Sequence, residues 1–173
     1  AKGWENVICY GMGSTLDDVK NAASAEKNIV CSAAAIKAAE YLKEKFGTPY
    51  EIEYPQSCLP EEIVQKADNF ADKNVLVIHN QTAADAVRKL ITEKSECHCT
   101  SATFFMQKKE LSQQDDFFLA DESDLCDNVG DNYDVVIADK TLRRVMKNFS
   151  GEFIDFPHFG LSGRLLQGES EKI

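Results

Sequence analysis

Apolar positions in this chain follow two alternating periods, and the alternation predicts strands interleaved with helices. Asn6-Val7-Ile8-Cys9-Tyr10 is a short apolar run stopped by Gly11 and Gly13, and it predicts a strand over 6–10. Thr15 is placed to cap a helix through Asn21, with Asp17 and Asp18 in the first turn, where the helix dipole favours acids. Asn28-Ile29-Val30-Cys31 predicts a strand over 28–31, and Ser32 stands where a cap belongs. Ile36, Ala39, Leu42 and Phe46 then recur at helical spacing until Gly47 and Pro49 stop the helix. Tyr50 to Tyr54 alternates with Glu and reads as a strand leading to Pro55.

A second unit begins near Leu59. Pro60, followed by Glu61 and Glu62, opens a helix towards Asp72. Asn74-Val75-Leu76-Val77-Ile78 is the strongest strand signal, apolar, mostly β-branched and bounded by polar residues, and should be central. Thr82 with Asp85 resembles a capping box and starts a helix carrying Val87, Leu90 and Ile91. Strands follow over 97–104 and 134–138, then a helix from Thr141 to Lys147 and a last short strand at Phe153-Ile154. Between the two longer strands lies a stretch read as loop with a short helix. This order implies an α/β fold, a parallel sheet covered by helices on both faces. Ligands of such sheets bind beyond the carboxyl ends of the strands. The residues to watch are therefore 11–14, 31–33, 79–82, Asp139 and 157–164.

The 173 residues suffice for one domain or two small ones with a sizeable core, and 43% hydrophobic residues can fill it. No stretch approaches the ~20 apolar residues of a membrane span, and no basic, apolar leader opens the chain. The net charge is −10. Its imbalance comes from Glu110 to Asp139, which holds ten acids and no Lys or Arg and reads as a solvated loop and helix face. The acidic balance disfavours nucleic acid and anionic membrane surfaces, which need clustered cations. Six cysteines without C-x-x-C spacing read as thiols or ligands rather than disulfides in a cytoplasmic chain. On a strand, Cys97 and Cys99 share one face and His98 the other, which makes packing their role.

Three places carry candidate chemistry. Gly11-Met12-Gly13-Ser14-Thr15 turns from a strand into a helix, where an anion could approach the backbone, or simply makes a tight turn. Cys31 stands at the end of a strand and the mouth of a helix, where a thiol pKa should be lowered and a metal ligand or nucleophile is well placed, or is a core thiol. Residues 156–164 bring His158, Ser162 and Arg164 into one loop, a metal-competent imidazole beside a carboxylate-gripping guanidinium, or a loop brace and a surface cation. His79 follows a strand without a visible partner and reads as structural.

Residues 27–55, KNIVCSAAAIKAAEYLKEKFGTPYEIEYP, resemble the middle of the component 1 subunits of nitrogenase: a strand, a Cys just after it, and a helix ending in a Glu-Lys-Phe-Gly turn. Gly13 to Ala25 is similar to the preceding family segment, and residues 134–164, DVVIADKTLRRVMKNFSGEFIDFPHFGLSGR, to the closing strand, helix and His-x-Ser-Gly loop. Alanines 33–35 replace the family's Arg after the Cys, and Phe159-Gly160-Leu161 replaces its longer Tyr-rich segment.

The resemblance implies Rossmann-like parallel sheet layers with helices on both faces, the domain type of nitrogenase component 1. Residues 1–58 would be the latter part of one such domain, 59–166 a second, and 167–173 a frayed tail. The resemblance puts Cys31 on the thiolate ligand of the family's cofactor and His158 close to its imidazole ligand, one residue nearer the Ser-Gly pair, with Ser162, Arg164, Gly13 and Ser14 as further cofactor contacts. The whole protein would carry an iron–sulfur or mixed-metal cluster, pair with a second component 1-type subunit, and take electrons from an ATP-dependent iron–sulfur reductase. It would act as an oxidoreductase or a cofactor-assembly scaffold. The isolated chain would be inactive, hold no cluster and possess a tendency to form homodimers. The alternative is a stand-alone α/β ligand-binding module that has lost the redox role.

Overall fold

A computed structural model describes residues 6–11, 14–129 and 132–162. Thirteen regular elements follow in order among them: α1 Leu16–Lys20, β1 Asn28–Val30, α2 Ile36–Phe46, β2 Tyr50–Ile52, α3 Glu61–Lys66, β3 Asn74–Ile78, α4 Gln81–Lys94, β4 His98–Thr103, β5 Phe117–Phe118, α5 Glu122–Val129, β6 Val135–Ala138, β7 Glu152–Asp155 and α6 Phe159–Ser162. Every strand pairing is parallel. Two strands make a small sheet, β1-β2; the other five are ordered β5-β4-β3-β6-β7, with β3 in the middle.

The central position of β3 follows from its composition. Val75, Leu76, Val77 and Ile78 are all at most 1% exposed, so both faces of the strand are covered. Strand alternation sends Val75 and Val77 to one side, where they meet Ile63, Ala67 and Phe70 around α3 and Val87, Leu90 and Ile91 of α4. Leu76 and Ile78 go to the other side and meet Leu125 and Val129 of α5 with Leu142, Met146 and Phe149. The small sheet has its own layer, in which Val30 packs with Ala33, Ile36 and Ala39 of the segment leading into and along α2.

Local chemistry sets the ends. Gly47 closes α2 at φ 76°, a left-handed conformation that glycine adopts freely, and its N–H bonds the Lys43 carbonyl. Thr15 and Asp18 form a reciprocal capping box on α1. Gly151 is required by close approach: a Cβ there would stand 2.4 Å from the Asp134 carbonyl oxygen and 2.6 Å from the Phe149 ring.

Several expectations need correction. Residues 6–10 are exposed and form no strand, with Val7 77% exposed. Five residues without a neighbouring strand have no ladder to join, so an apolar run alone is insufficient. The cap of α4 is Asn80, whose Oδ1 accepts from the Ala83 N–H at 3.0 Å, and the helix starts before Thr82. The helix opened by Pro60 ends at Lys66 and passes into a 3-10 turn over Ala67–Asn69. Residues 140–144 form a 3-10 turn rather than an α-helix reaching Lys147.

The acidic stretch is not wholly solvated. Asp139 is fully buried, and the Asp116 side chain is 2% exposed. Asp116 receives two contacts from Arg88 Nη2, at 2.8 and 2.9 Å, and accepts the Ser101 and Gln113 N–H groups. That clamp holds the edge strand β5, which lies in the stretch expected to be loop, against β4 and α4. Arg88 also pairs with Asp85 at 3.2 Å; burial raises the Asp85 pKa to about 6. The Cys97-His98-Cys99 triplet behaves as its alternation predicts: Cys99 is buried, Cys97 packs beside the same core, and the His98 side chain is 57% exposed. Burial pushes the Cys99 thiol up to about 12, which makes it inert.

Candidate functional site

Counted from β3, the large sheet runs 3-2-1-4-5, the order of a doubly wound half. Successive connections leave β3 in opposite directions, so a crevice opens between the carboxyl ends of β3 and β6, where ligands of this fold class bind. Three side chains meet there. His79 directly follows β3, Asp139 directly follows β6, and His158 lies three residues after β7.

Asp139 organises the group. Its Oδ1 accepts the Thr141 N–H at 2.9 Å and the Thr141 hydroxyl at 2.8 Å, while Oδ2 accepts the His158 N–H at 2.8 Å. The carboxylate thus ties the ends of β6 and β7 together. The His158 ring stacks on Phe105, centroids 4.3 Å apart and 8° from parallel, and meets the His79 ring at 4.5 Å edge-on. His79 stacks on Phe156 at 4.0 Å. His79 Nε2 donates to the Pro157 carbonyl at 3.2 Å, which leaves Nδ1 as the unprotonated nitrogen, buried without a hydrogen-bond partner. Burial, and secondarily the neighbouring His158, lower the His79 pKa to about 3. His158 is likewise held down by burial, against the opposing pull of Asp139. Both imidazoles are neutral near pH 7.

Cys31 stands apart in character. It is exposed just beyond β1, and its carbonyl accepts the Thr82 hydroxyl, which fastens the end of the small sheet to the start of α4. Contrary to expectation its thiol pKa is raised, by partial burial first and then by the thiols of Cys58 and Cys9 and the carboxylate of Glu53. The reason is local: Ser32, not Cys31, caps the following 3-10 turn, and among the described residues the titratable neighbours of the sulfur are anionic or neutral groups that disfavour thiolate. Ser14 closes a turn with Gly11, its hydroxyl donating to the Gly11 carbonyl at 2.8 Å. A Cβ on Gly11 would meet nothing within 4 Å, so no close approach requires that glycine. Ser162 ends α6. Gly13, Arg164 and the tail 167–173 lie outside the described residues.

A metal ligand must offer a lone pair. In neutral His158 the one ring lone pair sits on Nδ1, which accepts the Gly160 N–H at 3.0 Å. No group of three or more His, Cys, Asp or Glu side chains able to hold a metal converges among the described residues. In this conformation His158 does not fit a cluster ligand, whereas the exposed Cys31 sulfur is accessible once deprotonated. Position just after an apolar strand singles out His79 and Asp139 in the sequence, but sixty residues separate them and nothing local to either shows that they meet.

The architecture is that of a mixed α/β protein with parallel sheets flanked by helices. Among solved structures it is similar to one described as nitrogenase Cp1 at pH 6.5, with a TM-score of 0.56 at 14% identity. The match covers 96% of this chain and 45% of that one, so the chain spans about half the neighbour's length, and the likeness is one of fold. No family model matches the chain, and no curated protein matches it by sequence. No helix among the described residues is long and apolar enough to cross a membrane.

Proposed function

We propose that this chain is part of a nitrogenase-like, component 1-type protein, in which it forms one wall of a metallocofactor or substrate cleft and is not catalytic by itself. The observation that carries the reading is topological. His79, Asp139 and His158 converge at the switch point of the large sheet, on a fold shared with a nitrogenase chain about twice as long. Residues 1–58 then belong to one domain and 59–166 to the next. Cys31 supplies the accessible sulfur and His158 shapes the floor; the family resemblance adds Ser14, Ser162, Gly13 and Arg164 as further cofactor contacts, the last two from outside the described residues. In the whole protein the partners are an iron–sulfur or mixed-metal cluster, a second component 1-type subunit and an ATP-dependent iron–sulfur reductase, in the cytoplasm. Exposed Val7, Leu16 and Val19 favour association with further polypeptide, a second copy included.

One observation favours a second reading, an α/β ligand-binding module without a redox role: the His158 lone pair is engaged by Gly160. Anaerobic incubation with ferrous iron alone, desalting and elemental analysis separate the two. The first reading expects iron retention well below one per chain that disappears in Cys31→Ser. The second expects the same trace in wild type and variant. Stoichiometric iron retained equally by wild type, Cys31→Ser and His158→Gln would remove both residues from any metal site.

A further inference from the structure

We propose that a second site, an anion-binding groove for a phosphoryl group, lies between the 3-10 turn Lys140–Arg144 and the edge strand β7. An open cavity of about 500 Å3 is lined there by Lys140, Thr141, Arg143, Arg144 and Phe153. It shares no lining residue with Cys31, His79 or His158, so the proposal goes beyond the function proposed above.

Charge is the first argument. The chain carries a net −10, yet three cations stand within five residues around this one groove. None of the three forms an ion pair among the described residues, although Lys66, Lys73, Arg88 and Lys94 all do. The two acids bonded to this turn accept from its backbone and from Thr141, and neither forms an ion pair with Lys140, Arg143 or Arg144 among the described residues. Asp139 spends its oxygens on Thr141 and the His158 N–H, and Asp155 Oδ1 accepts the Lys140 N–H at 2.9 Å. The cationic side chains therefore keep their charge for a ligand.

Preorganisation is the second argument. The Arg143 guanidinium carbon lies 5.6 Å from the Phe149 ring centroid and 5.4 Å from that of Phe153. Two aromatic faces hold the planar group in place, which reduces the side-chain entropy lost on binding. A positioned guanidinium matches two oxygens of one phosphoryl group, and Lys140 and Arg144 offset the second charge of the dianion. The volume falls in the range of small-molecule sites. The shared chemistry is a phosphoryl dianion, free as an inorganic ion or carried on an organic molecule.

Isothermal titration of the full chain with inorganic phosphate, inorganic pyrophosphate, glycerol 3-phosphate and citrate tests the proposal. We expect saturable binding of at least one phosphoryl probe, weakened tenfold or more by Arg143→Gln and by Arg144→Gln. Lys147→Gln, an exposed cation outside the groove, should change it less than twofold. Tighter binding of glycerol 3-phosphate than of the inorganic ions assigns the site to an organic phosphate; the reverse assigns it to the free ion. Three results would overturn it: no binding of any phosphoryl probe at millimolar concentration, equal losses in all three variants, or citrate binding as tightly as every phosphoryl probe. The two stacking contacts, with Phe149 and Phe153, belong to Arg143, so the Arg144 variant keeps the test valid should Arg143→Gln disturb the fold. None of these readouts involves iron, so failure here leaves the Cys31 experiment unaffected.

Discussion

Replacing His79 by Gln should remove most of one pH dependence of folding. The folded chain holds the His79 pKa at about 3, against about 6.5 for an exposed imidazole. Below pH 6.5 the unfolded chain takes a proton that the folded chain refuses until about pH 3, so stability falls as the pH drops through that window. Between pH 7 and pH 5 the linkage integral for this one group is about 2 kcal/mol, which is an order-of-magnitude figure. The group is 6% exposed, so solvent screening takes little from it. Gln is a conservative probe: its amide can still donate to the Pro157 carbonyl, and it cannot titrate. Asp85, whose pKa is raised to about 6, works in the opposite sense, gaining stability for the fold as the pH falls from about 6 towards its unfolded value. Asp85 is common to both proteins and cancels in their difference. Urea denaturation at pH 7, 6 and 5 measures that difference. Wild type should lose about 2 kcal/mol relative to His79→Gln over this range. Parallel pH profiles, within about 0.5 kcal/mol, would refute the buried, neutral imidazole.

Other perturbations follow from the same structure. Asp116→Asn removes the closer of the two carboxylates paired with buried Arg88, leaving Asp85 at 3.2 Å, and should cost about 3 kcal/mol in a urea titration; a loss below about 1 kcal/mol would mean the pair is solvated. Gly151→Ala forces a methyl against the Asp134 carbonyl and the Phe149 ring and should lower stability by about 1–3 kcal/mol, whereas an unchanged melting temperature would show that the turn can yield. Iodoacetamide should label Cys31 in the folded chain with a rate that climbs above pH 9, while Cys99 reacts only on unfolding; mass spectrometry that finds Cys31 fully reactive at pH 6 would contradict its raised pKa.

Periodicity made the layers of this fold legible. An uninterrupted apolar run such as 75–78 can satisfy itself only between two helix layers, and Gly47 and Thr15 state helix ends through conformation and hydrogen bonding that are local to the chain. The same logic located Cys31 and His158 at strand ends. What periodicity could not say was which apolar run lacks a neighbour: 6–10 has the composition of a strand and stays irregular, because a ladder requires a partner that composition does not supply.

Charge was legible as a total and not as a distribution. Asp116 and Asp139 sit in one acidic stretch with exposed Glu110 and Asp115, and nothing next to either distinguishes them. Their burial depends on Arg88, twenty-eight residues before Asp116, and on the His158 N–H, nineteen residues after Asp139. The sheet order decides the rest. Sequence determines that His79 follows one strand and Asp139 another, because each local run fixes its own end. Only the tertiary structure makes β3 and β6 neighbours, brings the two imidazoles to 4.5 Å, and assigns the His158 lone pair to Gly160. Strand pairing is a long-range choice among many apolar edges, settled by which arrangement buries both faces of β3 at once.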